Sequence, residues 1–422
     1  MIPFVITIRR KLWSLEREFA SNADQFVLLR FLTFVYAIRN DTPTGVFRRT
    51  LWCCHLSVPV FVLSSYCYKA YWQLTHTTYT FSTFITFGTF WIFANTVIRG
   101  IIFDRVVLER LERFLNDRSF RDDEQVVRSA RFNVQLHNNR CLVLVNLTLL
   151  FETCIFLGTN LMYQPEFALM YKGHVVGGLF TQLLYGCSLC FWGSLYVQIF
   201  AFIYVVLIVF REEMWILTQS FERINECFRK YWTSLDTVRS SAEEAEFWHE
   251  LQLLIKLNVQ RHVELLENIS TFGAILRPFS FIQYYGSFTL VAYYCFIIIY
   301  SGITRLTVVY FGFIVFLVGE SFLFCQILSK INDLIGTIIC EMEWYDKLRF
   351  SHRFASAYRQ VRTSFLIIII RSQKPLSFTM NGVGSITMAR FADLLNSTYS
   401  FVMLLLQLKN GLLANLTGND YV

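Results

Sequence analysis

Seven long apolar stretches constrain what this chain can fold into. They run from Leu51 to Tyr68, Tyr79 to Phe103, Cys141 to Tyr163, Val175 to Phe210, Phe279 to Gly302, Leu306 to Leu328 and Val383 to Leu408. Hydrocarbon offers no water to a broken backbone, so a crossing segment of about 20 apolar residues must be a helix that satisfies its own N–H and C=O groups. The first stretch is short, and the fourth is long enough to project past the bilayer. With 55% hydrophobic and only 16% charged residues, the chain carries more apolar surface than a soluble core of its size hides. Met1 to Ile8 is too short for a cleavable signal and is followed by Arg9, Arg10 and Lys11, so the first spanning helix is expected to direct insertion.

The basic residues set the expected sidedness, because cytoplasmic loops retain Lys and Arg. Residues 1–50, 99–140, 211–278 and 329–375 hold eight, nine, eight and eight of them, 33 of the 38 in the chain. The alternate segments hold one each (Lys69, Lys172, Arg305 and Lys409), and Arg390 lies inside the last stretch. The expected fold is therefore all-α, a seven-transmembrane-helix membrane protein with a cytosolic amino terminus and an extracellular carboxyl terminus. Its net charge of +7 reflects that orientation and not nucleic-acid binding.

Residues 1–50 read as a cytosolic region with a short re-entrant helix at Phe26 to Ile38. The other expected segments are 51–210 (four spans), 211–278 (a cytosolic helical connection), 279–328 (two spans), 329–382 (a cytosolic anchor segment), 383–408 (the last span) and 409–422 (an external tail). Between Phe247 and Ile269, Leu251, Leu254, Ile255, Val259, Val263 and Leu266 recur at helical spacing and need a partner face. The fourth to sixth helices are expected to continue into the cytosol and pack there with Glu343 to Ile370, where Phe365 to Ile370 is a buried cytosolic helix. Of the Asn-x-Ser/Thr sequons only Asn415 falls outside, and it is the one expected glycan acceptor.

No catalytic or metal chemistry emerges, and no enzyme and no cofactor are expected. The His249-Glu250 pair has Leu253 where a zinc hydrolase needs a second histidine, and Asn381-Gly382-Val383-Gly384 reads as a turn opening the last helix. Glu152 and Glu320 lie inside spans, where a charge is expensive; each is expected to be protonated or bonded to a neighbouring hydroxyl such as Thr148 or Ser321. They also motivate an alternative function, secondary transport of small organic solutes. Arg390 either faces an inner vestibule or snorkels to the interface.

Near the carboxyl end, Glu343-Trp344-Tyr345, Ser372-Gln373-Lys374-Pro375-Leu376, Ser397-Thr398-Tyr399-Ser400-Phe401 and Leu405-Leu406-Gln407 resemble the insect odorant receptor family, as does Phe324-Cys325. The first 320 residues agree mainly in topology and loop lengths. The large insertion usual between the fourth and fifth helices of the shared co-receptor is absent, so the chain looks like a ligand-specific tuning subunit. The resemblance implies a heterotetrameric, odorant-gated, non-selective cation channel assembled with the co-receptor in the plasma membrane of olfactory sensory neurons. It implies a pore lined by the last helix and gated at Leu404, Gln407 and Leu408. It also implies that small volatile organic molecules bind in the outer half of the bilayer, between the second, third, fourth and sixth helices. Candidate residues there are Thr80, Thr83, Phe84 and Phe87; Ile155, Gly158, Thr159 and Met162; Tyr185 and Ser188; and Tyr310, Phe313 and Ile314. A volatile burying roughly 200 Å² of apolar surface would gain about 5 kcal/mol, a weak and shape-based recognition.

Overall fold

A computed structural model describes residues 24–36, 46–76, 81–102, 105–164, 167–232, 241–301, 305–341, 344–372, 379–380 and 384–418. Its helices are α1 (Val27–Val35), α2 (Val46–His76), α3 (Phe81–Ile101), α4 (Arg105–Asn116), α5 (Gln125–Gly158), α6 (Leu179–Trp232), α7 (Ser241–Ser301), α8 (Arg305–Glu341), α9 (Trp344–Lys347), α10 (Ala355–Ser372) and α11 (Met388–Gly418). A 3₁₀ turn covers Leu161–Tyr163, and two antiparallel strand pairs complete the described residues: β1 (Met170–Tyr171) with β2 (His174–Val175), and β3 (Thr379–Met380) with β4 (Gly384–Ser385).

The seven predicted stretches fall largely within α2, α3, α5, α6, α7, α8 and α11. Among the described residues, α5, α6, α7 and α8 are long and apolar enough to cross a membrane, and α3 contributes a shorter apolar segment, Ile85–Ile101. Two predicted boundaries shift. The fourth stretch does not begin as helix at Val175, because Lys172 and Gly173 adopt φ of 48° and 80° and close a two-residue hairpin. The buried Gln182 amide ties that hairpin down, donating to the carbonyls of Val176 (2.6 Å) and Leu169 (3.2 Å) and accepting from the Leu169 N–H (3.0 Å). The last helix starts at Met388 and not at Val383, since β3–β4 takes up the residues before it.

The axis of the assembly is α6, whose run from Phe200 to Phe210 is buried at every residue but Tyr204. Both α6 and α7 far exceed a membrane's thickness, and beyond it they pack with α8, α9 and α10 at the basic end of the molecule. There Trp344 stacks on Phe365 at 5.0 Å, and Lys347 donates to Asn225 Oδ1 at 2.9 Å. Phe365 and Ile368 are buried, whereas Leu366, Ile367 and Ile370 are exposed, so the short apolar run of α10 has one packed face. The partner face of α7 is turned from its predicted position: Leu251, Ile255, Asn258, His262, Leu265 and Ile269 are buried, and Val263 is exposed. Charges buried beside it are paired, with Glu213 accepting from Arg131 Nε and Arg261 Nη2, both at 2.8 Å. The predicted re-entrant segment contains α1; Leu29 on it and Phe26 just before it are buried, and Phe31 and Phe34 are exposed.

The largest departure from the sequence reading is Arg99. Counted among cytosolic residues, it instead lies fully buried in α3, where Nη1 donates to Glu320 Oε1 of α8 at 3.0 Å with both side chains wholly inaccessible. Its Nη2 reaches the Tyr196 hydroxyl of α6 at 2.6 Å and Gln283 Oε1 of α7. Gln283 Nε2 donates in turn to the Ser287 hydroxyl at 2.9 Å. Glu320 is therefore held by a guanidinium and not by the neighbouring hydroxyl of Ser321. Arg390 pairs with Asp393 one turn on, at 3.5 Å.

Removing one member of a buried ion pair strands the other, at a cost of about 3–5 kcal/mol, whereas replacing both with apolar groups can be nearly neutral. Glu320→Ala should therefore lower the melting midpoint in detergent sharply, and Arg99→Met with Glu320→Leu should recover most of the loss. In the α7–α10 region, burial and then the nearby Arg371 push His262 down from 6.5 to about 4. A depressed histidine contributes stability that is complete above its unfolded value and lost as pH falls toward the folded one. Melting between pH 7 and pH 4 should show that loss, reduced in His262→Gln.

Candidate ligand cavity

A cavity of about 120 Å³ opens among α3, α5, α6, α7 and α8, in the half of the bundle away from the basic end. Helix α3 presents Thr89, Ile92 and Phe93 to it, and α5 presents Leu149, Glu152, Thr153 and Phe156. From α6 come Leu189, Cys190, Gly193 and Ser194; from α7, Tyr294; and from α8, Val309, Tyr310 and Phe313. Phe167, from the segment leading to the β1–β2 hairpin, closes one side. Two of these helices are shaped for the space. Gly193 leaves room that a Cβ would begin to fill, 4.0 Å from Phe313, and Tyr294 stacks between Tyr310 (5.0 Å) and Phe313 (5.8 Å).

The lining is mostly apolar, and its small polar groups are largely engaged with backbone: the Thr153 hydroxyl donates to the Leu149 carbonyl at 2.8 Å. Glu152 is the sole carboxylate in the lining. Such a space suits a small, mainly apolar guest oriented by few polar contacts. Among the described residues no group of His, Cys, Asp or Glu is arranged to hold a metal ion, and the described cysteines are free thiols.

Of the thirteen residues singled out by sequence for a ligand, the structure brings Tyr310 and Phe313 to this cavity. Met162 and Tyr185 instead belong to a neighbouring packed cluster with Tyr66, Phe93 and Trp192, where the Tyr185 hydroxyl meets that of Ser65 at 2.6 Å. Ser188 donates to the Tyr185 carbonyl, and Thr159 to that of Ile155. Phe87 and Gly158 are exposed, while Ile155 and Ile314 are half-buried outside the lining. Thr80 lies outside the described residues, as do the side chains of Thr83 and Phe84.

The discrepancy has a simple geometric form. On α3 the cavity residues sit roughly 180° around the helix from the predicted face, and on α5 and α6 they are rotated by roughly 120° or more. Helices apolar on all sides carry no stripe to show which face turns inward. The one signal available was small residues beside aromatics, such as Gly193 next to Trp192.

On the last helix, Leu404 and Gln407 are exposed, and the side chains of Leu408 and Asn415 fall outside the described ones. The inner part of α11 packs on α7 and α8 through Phe391 against Phe322 (5.6 Å) and Phe401 against Phe288 (5.6 Å). Ser280, Gln283 and Ser321 meet Ile386, Arg390 and Leu394 around a space of about 20 Å³.

Apolar cavities take up small hydrocarbons, as one of about 150 Å³ does benzene. Benzene should therefore raise the melting midpoint of the native protein and leave that of Gly193→Leu, which fills the space, unmoved.

The family model described as 7tm Odorant receptor matches residues 103–399. The insect olfactory receptor OR5 from Machilis hrabei, solved in complex with eugenol, superimposes with a TM-score of 0.67 at 12% identity, over 91% of this chain and all of that one. A second structure of that receptor gives 0.68 at 13% identity with the same coverage. No curated protein matches the sequence significantly. The terminal motifs, the helical membrane architecture and a family match over most of the chain agree: this multi-pass membrane protein belongs to the insect odorant receptor family.

Proposed function

We propose that this chain is a tuning subunit of an odorant-gated, non-selective cation channel. It crosses the plasma membrane of olfactory sensory neurons seven times, with its amino terminus in the cytosol and its carboxyl terminus outside. It assembles with the shared co-receptor into a heterotetramer. The observation that carries the reading is the apolar cavity, lying in the half of a receptor-family bundle that the Lys and Arg distribution assigns to the outer leaflet. A similarly folded receptor, OR5, was solved with eugenol, a small aromatic molecule. The cavity residues of α3, α5, α6, α7 and α8 described above form the odorant site, with Tyr310 and Phe313 common to both readings.

The basic-end bundle of α6 to α10 acts as the cytosolic anchor where subunits meet. On α11, Tyr399, Met403 and Leu404 are left uncovered within the single chain, a surface available to neighbouring subunits around an axis. Leu404, Gln407 and Leu408 share a helical face near the external end and form the gate, closing a narrow pore by dewetting. Asn415, beyond the gate, is the glycan acceptor. Opening requires that the odorant bind the open state more tightly than the closed one. Transport receives less support, because Glu320, one of the two carboxylates that suggested it, is already committed to Arg99.

Whole-cell recording from cells expressing the chain with an odorant co-receptor, against a broad volatile panel, tests the reading. Odorant-evoked cation currents that need both subunits are expected, and Gly193→Leu should abolish them while leaving surface expression intact. Absence of any evoked current in the paired cells would refute it.

A further inference from the structure

Six aromatic rings face the cavity: Phe93, Phe156, Phe167, Tyr294, Tyr310 and Phe313. Among them stands a single carboxyl, that of Glu152, an exposed residue of α5 at the cavity's rim. Its Oε1 lies toward α8, at a place 3.7 Å from where a Cβ on Gly312 would be, so the absence of a side chain at Gly312 leaves the carboxyl uncovered. The hydroxyls beside it in sequence point elsewhere, Thr148 donating to the Leu144 carbonyl at 3.0 Å and Thr153 to that of Leu149. No Lys, Arg or His lines the cavity, and among the described residues no ion pair or hydrogen bond holds Glu152. The buried acids contrast with it: Glu320 has Arg99, and Glu213 has Arg131 and Arg261.

We propose that Glu152 makes this cavity selective for small volatile amines, with the ammonium group at the rim against the carboxylate and the hydrocarbon part among the rings. The proposal rests on the ligand-binding reading of the cavity and names its ligand class. Ring faces carry negative charge that attracts a cation, and an ionised carboxylate accepts hydrogen bonds from N–H donors. The proton count closes by either route: an ammonium meets an ionised Glu152, or a neutral amine takes the proton of a neutral one, and the same ion pair results. A hydrocarbon of equal shape gains the burial alone. At about 120 Å³ the space accepts one ring, and the open rim leaves the head group beside Glu152.

The test uses benzylamine and toluene, which share a ring and differ in the amino group. Their affinities for the purified full-length receptor are read from the shift in melting midpoint at neutral pH. Native protein should prefer benzylamine by about tenfold, and Glu152→Gln should lose most of that preference while keeping its affinity for toluene. Should Glu152→Gln fail to fold, Glu152→Asp, which withdraws the carboxyl by one methylene, should weaken the preference part way. Equal binding of the two probes by native protein, or an undiminished preference in the variants, overturns the proposal. Recordings with the co-receptor separate it from the channel reading. An amine preference in the melting assay without evoked current sinks only the channel, and evoked currents with identical benzylamine sensitivity in native and Glu152→Gln receptors sink only the amine site.

Discussion

Arg99 and Glu320 meet where no water reaches either side chain, and that ion pair organises the bundle around it. A guanidinium in such a place needs acceptors, and its Nη1 and Nη2 groups find them. It finds Glu320 on α8, Tyr196 on α6 and Gln283 on α7, while its own backbone belongs to α3. One group thereby ties four helices into a common register. The Arg99 guanidinium also lies 3.7 Å from the Tyr196 ring centre, so the aromatic layer above it is fixed by the same group.

The cavity is the next layer outward of that quartet. Ile92 precedes Arg99 by two helical turns, Phe313 precedes Glu320 by two, and Tyr294 follows Ser287 by two, so the α3, α7 and α8 walls of the cavity stand on members of the polar network. One layer in the other direction, Gln283 and Ser321 border the small space against Ile386, Arg390 and Leu394 of α11. The apolar cavity, the buried charges and the last helix thus form a continuous stack within the chain. A guest that changes the spacing of the upper layer acts on helices already joined below it.

Much of the architecture was legible before the structure. The helix-length apolar stretches and the segregation of Lys and Arg are properties of composition along the chain, and bilayer physics reads them directly. The long basic-end extensions of α6 and α7 were legible for the same reason, as charged residues such as Arg223 and Glu226 continued a helical pattern past the apolar run. The β1–β2 hairpin was not foreseen, although Lys172-Gly173 closes it, because two-residue strands leave almost no periodic signal. The α7 face was placed one position off, since Asn258, Arg261 and His262 are buried polar residues that a hydrophobic pattern assigns to solvent.

From the sequence alone followed the class of the molecule, the approximate place of each apolar helix and the family, because each depends on short-range composition or a local motif. Which side of α3, α5 and α6 faces inward was decided only by the tertiary structure, as helices apolar all round pack equally well by pattern in several rotations. So were the partner of Glu320 and the isolation of Glu152. Arg99 and Glu320 are separated by more than half the chain, and only the folded arrangement gave one carboxylate its cation and left the other facing an aromatic cavity.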